Sequence, residues 1–159
     1  MNANLKKVLT LEIRDEAVKA IFSSLRTHFQ GGKIPRTPHL TIRGPYSRHI
    51  SRDVFARVAS TLEQGPELTV AGVGRFDSPS EHVVFLKVAG ESLRKVWWKP
   101  DYPLKHHGFN PHITVFRGQK EDADRVYEFL RNQKTEFSVT NFDIRTDTIG
   151  QSQRELEFI

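Results

Sequence analysis

Two short stretches of the chain share one pattern of polar and apolar positions. Pro38-His39-Leu40-Thr41-Ile42 and Pro111-His112-Ile113-Thr114-Val115 both alternate polar with aliphatic residues after a proline. Both run on to Arg-Gly, at Arg43-Gly44 and, with one extra residue, at Arg117-Gly118. Period-two alternation predicts strands. Residues two apart on a strand share a face. Each histidine therefore projects with its threonine, while Leu40, Ile42, Ile113 and Val115 turn the other way into a core.

The remaining pattern predicts a strand over 8–13 and a helix over 15–30. Val18, Phe22, Leu25 and Phe29 lie on one face of that helix, and Asp15 and Glu16 favour its start. A second helix spans 51–64, with Ser51 as N-cap and Val54, Phe55, Val58 and Leu62 inward. Strands follow over 67–76, where Leu68, Val70 and Val73 point inward, and over 82–89. A short helix covers 91–99 and another covers 121–132, with Val126, Phe129 and Leu130 inward; strands over 137–147 and 155–159 finish the chain. The order strand, helix, His-Thr strand, helix, strand thus occurs twice, and repetition of one unit predicts pseudo-symmetric packing. The expected fold is α+β and bilobal: two antiparallel-sheet lobes, helices packed outside, and a central cleft where the motif strands face each other. With no linker between the halves, residues 1–159 form a single domain. Its lobes lie near 1–78 and 79–159, with or without an exchange of strands between them.

Composition narrows the class. At 159 residues with 37% hydrophobic content, the chain can bury a substantial core. It has no cysteine, hence no disulfide and no thiolate metal site. Glu12 and Arg14 interrupt the first apolar run too early for a signal peptide or membrane span. The expectation is a soluble, cytoplasmic monomer. Net charge is +5, and its placement matters more than its size. Residues 17–52 contain no Asp or Glu against Lys19, Arg26, Lys33, Arg36, Arg43, Arg48 and Arg52, and residues 92–120 contain only Asp101 against six cations. Both motifs lie in these acid-poor stretches. A positive field at a groove recruits a polyanion such as RNA or a nucleotide; a solvated basic surface is the plainer alternative.

Two imidazoles and two hydroxyls in one groove are equipment for acid–base chemistry on a phosphodiester. Imidazole titrates near neutrality, so one histidine can take a proton while the other gives one. Threonine hydroxyls can donate to non-bridging oxygens, and β-branching keeps χ1 stiff. A single His-x-Thr is weak evidence: His49-Ile50-Ser51 fits a loose form of it but lacks the proline and the apolar strand. The matched pair is far more specific.

With these motifs the chain resembles the 2H phosphoesterase superfamily, and within it the RNA 2',3'-cyclic phosphodiesterases, also called the 2'-5' RNA ligase family. The resemblance implies a bilobal fold with the motifs on facing strands. It implies metal-independent hydrolysis of 2',3'-cyclic phosphate with no cofactor, and in some members reversible 2'-5' ligation. Carried onto matching positions, His39 and His112 are the catalytic pair, and Thr41 and Thr114 are the phosphate ligands.

Softer candidates surround them. Arg43 and Arg117 could clamp phosphate, or could be solvated strand ends. On regular strands Arg43 falls on the His39 side and Arg117 on the side opposite His112, so their equivalence requires a bulge. Tyr46, Phe109, Trp97 and Trp98 could stack a base; of the adjacent tryptophans, one should be buried and the other partly exposed. Lys105, with His106 and His107, could contact RNA from a loop. His106, His107 and His112 have no acidic or cysteine partner nearby, which argues against zinc. A phosphodiesterase of cyclic oligonucleotide or other nucleotide substrates and a non-catalytic RNA-binding module are the alternative functions.

Overall fold

Among the described residues, seven antiparallel strands form one sheet in the order β6-β3-β4-β5-β2-β1-β7, with four helices. The structure is a computed structural model. It describes residues 6–30, 32–46, 49–64, 68–98, 109–133 and 135–149. In chain order the elements are β1 (Lys6–Ile13), α1 (Glu16–His28), β2 (His39–Tyr46), α2 (Arg52–Gln64), β3 (Leu68–Asp77), β4 (His82–Ala89), α3 (Glu91–Val96), β5 (His112–Gly118), α4 (Lys120–Arg131), β6 (Glu136–Val139) and β7 (Phe142–Ile149). The expected terminal strand at 155–159 lies outside the described residues.

The α+β class, antiparallel pairing and helices on the outside are all present. The alternation of the strands explains why. Leu9, Leu11, Leu40, Ile42, Ile113 and Val115 share one core with Val18, Phe22 and Leu25 of α1 and Val126 and Leu130 of α4. One face of the sheet thus packs on helices, and the polar alternates lie on the other, as antiparallel sheets allow. Ser51 caps α2 by accepting from the Val54 amide at 3.2 Å, a contact worth about 1 kcal/mol in typical helices. No helix among the described residues is long and apolar enough to cross a membrane.

Two features depart from the sequence pattern. First, the sheets of the two halves are joined into one: β2 and β5 are neighbours at its centre, meeting at Leu40–Ile113. The third strand of each repeat pairs across: β3 bonds β4, and β7 bonds β1. Second, the stretch expected as one strand over 137–147 is two strands, broken at Thr140–Asn141. Asp15 is the reason. Its carboxylate does not cap α1 but accepts from the Thr140 amide at 3.0 Å and the Asn141 amide at 3.1 Å. Those bonds pin the corner at which the chain leaves β6 on one edge of the sheet for β7 on the other.

Candidate active site

The Leu40–Ile113 pair sets the site. Continuing that antiparallel register by one residue each way places His39 opposite Thr114 and Thr41 opposite His112. The two histidines become diagonal neighbours, which in sheets stand about 7–8 Å apart. On the β4 side Lys87 pairs with His112 and Phe85 with Thr114; on the β1 side Thr10 pairs with Thr41 and Arg145, and Glu12 with His39 and Asp143.

Both imidazoles are held in the same way. His112 Nδ1 lies 2.7 Å from the Asn110 carbonyl, and His39 Nδ1 lies 3.3 Å from the Thr37 carbonyl. A carbonyl can only accept, so each Nδ1 carries the proton and donates it. Each contact reaches two residues back, to the residue before the proline of the motif. This fixes the tautomer, with the proton on Nδ1 and the lone pair on Nε2.

The two histidines differ in surroundings. His39 is exposed, on a hollow of about 270 Å³ lined by Thr10, Glu12, Thr41, Arg145 and Asp147 among others. Glu12 is tied to Arg145 at 3.1 Å, and this hydrogen bond holds its carboxyl below the ordinary value. His112 is half-buried, with Phe85 at 5.1 Å and Phe76 edge-on at 5.3 Å between ring centroids. Gly74, the cross-strand partner of Phe85, makes that packing possible: a Cβ there would lie 2.6 Å from the Phe85 ring.

A bulge follows each threonine. Thr41 and Arg43 oppose the adjacent Thr10 and Leu9, and Thr114 and Phe116 oppose the adjacent Phe85 and Val84. The extra residues, Ile42 and Val115, are buried. These bulges invert the expectation for the arginines. Arg43 turns toward the helix layer, where its Nε donates to the Val96 carbonyl at 2.7 Å. Arg117 pairs across from Val83, returns to the histidine face and meets Glu81 at 3.5 Å. Past the bulges the central strands part and take new partners, Trp98 beside Arg43 and Lys33 beside Arg117.

The remaining candidates scatter. Tyr46 and Phe109 are partly buried against the core. Phe109 packs edge-on to Trp97 at 5.7 Å and under Arg94 at 4.7 Å. Trp97 is half-buried and Trp98 is 59% exposed, beside the end of β2. Lys105, His106 and His107 lie outside the described residues. Among the described residues no three His, Cys, Asp or Glu side chains cluster as a metal site would require.

Sequence reasoning missed Lys87, Glu12 and the Gly74–Phe85 packing. Lys87 left a signal: it is the one charge between Val83 and Ala89 in an otherwise apolar strand. Glu12 and Gly74 left none, because each acquires meaning from its partner on the next strand.

Among solved structures, that of Kluyveromyces marxianus Usb1 aligns over 94% of this chain and 99% of that one, with a TM-score of 0.47 and 10% sequence identity. Comparison with curated proteins gives no match. A family model described as the 2'-5' RNA ligase superfamily matches residues 12–148, a span that holds both His-Thr motifs. The chain belongs to the 2'-5' RNA ligase superfamily.

Proposed function

We propose that the protein is a metal-independent phosphodiesterase that opens 2',3'-cyclic phosphate at the end of RNA or a nucleotide. The observation that supports this best is the shared tautomer of His39 and His112, each held by a carbonyl two residues back on paired strands. One neutral imidazole takes a proton from water through Nε2 as the water oxygen bonds to phosphorus. The bond from phosphorus to one ribose oxygen breaks, and the other histidine, protonated, gives its Nε2 proton to that oxygen. The hydroxyls of Thr41 and Thr114 donate to the non-bridging oxygens. Lys87, opposite His112, adds positive charge at the phosphate. With the 5'-hydroxyl of a second RNA end in place of water, the same displacement would form a bond from that oxygen to phosphorus, break the bond from phosphorus to the ribose 3'-oxygen and protonate it, leaving a 2'-5' phosphodiester, the ligation the family name describes.

Each proton-transfer role is typically worth ~10²–10⁴-fold in rate. The test is a pH profile of kcat/KM, with excess EDTA, on a short RNA ending in 2',3'-cyclic phosphate. A bell with one limb for the base and one for the acid supports the reading. Activity that vanishes with chelator, or rises through a single limb, refutes it.

A further inference from the structure

We infer that a basic groove beside His39 holds the phosphate backbone of a single-stranded RNA whose end occupies the active site. This rests on the proposed function and names its substrate class: an RNA chain rather than a free mononucleotide.

The groove, of about 490 Å³, is lined by Arg14, Lys19, Arg26 and Arg36, among others. It shares Glu12 and Thr37 with the hollow that contains His39 and Thr41. The two spaces therefore adjoin at Glu12 and Thr37, beside the end of the motif strand that carries His39.

The charge there is largely uncompensated. Arg14 is committed to Asp143 at 2.5 Å, and Lys19 only grazes the exposed Glu16 at 4.0 Å. Arg26 donates to the carbonyls of Pro35 and Arg36 at 2.6 and 2.9 Å. Those neutral acceptors brace the segment leading to His39 without cancelling the guanidinium charge. Arg36 is exposed, and neither it nor Arg26 has a carboxylate within ion-pair distance among the described residues. Glu12, the carboxylate on the groove wall, is already bound by Arg145. Cations set this way neutralise phosphates without reading sequence.

The test compares wild type, a Lys19→Gln/Arg36→Gln variant, and an Arg125→Gln/Arg131→Gln control that loses the same charge from α4, outside the groove. Binding of a fluorescent ten-nucleotide RNA with a plain 3'-hydroxyl is followed by anisotropy across salt concentrations. The groove variant should bind about tenfold more weakly, with its slope of log K against log salt smaller by about 1.4, as expected for two lost phosphate contacts on a single strand. Its KM for a ten-nucleotide cyclic-phosphate RNA should rise similarly, while kcat and KM for a mononucleotide 2',3'-cyclic phosphate stay at wild-type values. Unchanged RNA affinity and slope, or an equal loss in the control, overturns the groove. Absence of ring opening on both substrates would instead overturn the proposed function, and the anisotropy result would still decide the groove.

Discussion

Leu40 and Ile113 are cross-strand partners, both fully buried, and theirs is the pairing recorded between β2 and β5 among the described residues. Two buried aliphatic side chains thereby decide the positions of four polar ones on the opposite face. A slip of one residue at this seam would turn one motif's histidine and threonine into the core. Leu40→Ala should destabilise the fold by about 2–5 kcal/mol, as large-to-small changes in cores do. Urea denaturation followed by tryptophan fluorescence measures it.

The hydroxyls of Thr41 and Thr114 can be removed with little change of shape. Valine at either position should lower kcat by about 10²-fold, the order seen for loss of one transition-state donor, and serine should retain most activity. Steady-state kinetics on the cyclic-phosphate RNA distinguishes this from simple strand propensity, under which valine would be harmless.

Gly74→Ala places a methyl group against the Phe85 ring, which in turn contacts His112. Small displacements of a catalytic group can cost up to ~10²-fold, so kcat should fall by about 10- to 100-fold while the protein stays folded. Adding Phe85→Leu, which shortens the obstructing side chain, should restore part of it. The His112 imidazole resonances in a nitrogen-15 spectrum should move in the single variant and return toward wild type in the double.

Lys87→Met keeps the length of the side chain and removes its charge. If the ammonium serves the phosphate beside His112, kcat/KM should drop by about tenfold, and the remaining activity should depend less on salt. An unchanged kcat/KM would remove Lys87 from the site.

How much of this was readable from the chain follows from the range of each interaction. The His-Thr strands, their buried alternates and the Ser51 cap are local, so pattern alone reveals them. The bulges after Thr41 and Thr114 are not: a bulge exists only relative to the neighbouring strand, and it reversed the sides expected for Arg43 and Arg117. The break between β6 and β7 depends on Asp15, 125 residues away from Thr140. The merging of two lobes into one sheet likewise depends on β3 and β7 pairing outside their own repeats.

Acid should weaken the fold through a small network on β3 and α4. Arg75 reaches Asp77 at 3.0 Å and Asp124 at 2.8 Å. Burial alone would raise the Asp77 carboxyl, but hydrogen bonds from His82 and Arg75 outweigh it and hold it below 3.8. Lys120, and then Arg75, lowers Asp124 likewise. A carboxylate whose folded value is depressed stabilises the protein above its unfolded value, and that contribution is lost as pH falls through the folded one. Thermal midpoints should therefore drop as pH falls below about 4, near unperturbed carboxylate values. Arg75→Met should lower the midpoint at pH 7 and shrink its drop on acidification.

The central claim is that two histidines on paired strands do the chemistry. Its most direct test is ring opening of a cyclic-phosphate RNA, followed by mass spectrometry, for wild type, His39→Ala and His112→Ala at equal folded concentration. The account predicts an added mass of one water for wild type and a loss of at least about 10²-fold in each variant. Turnover that survives either substitution would contradict it.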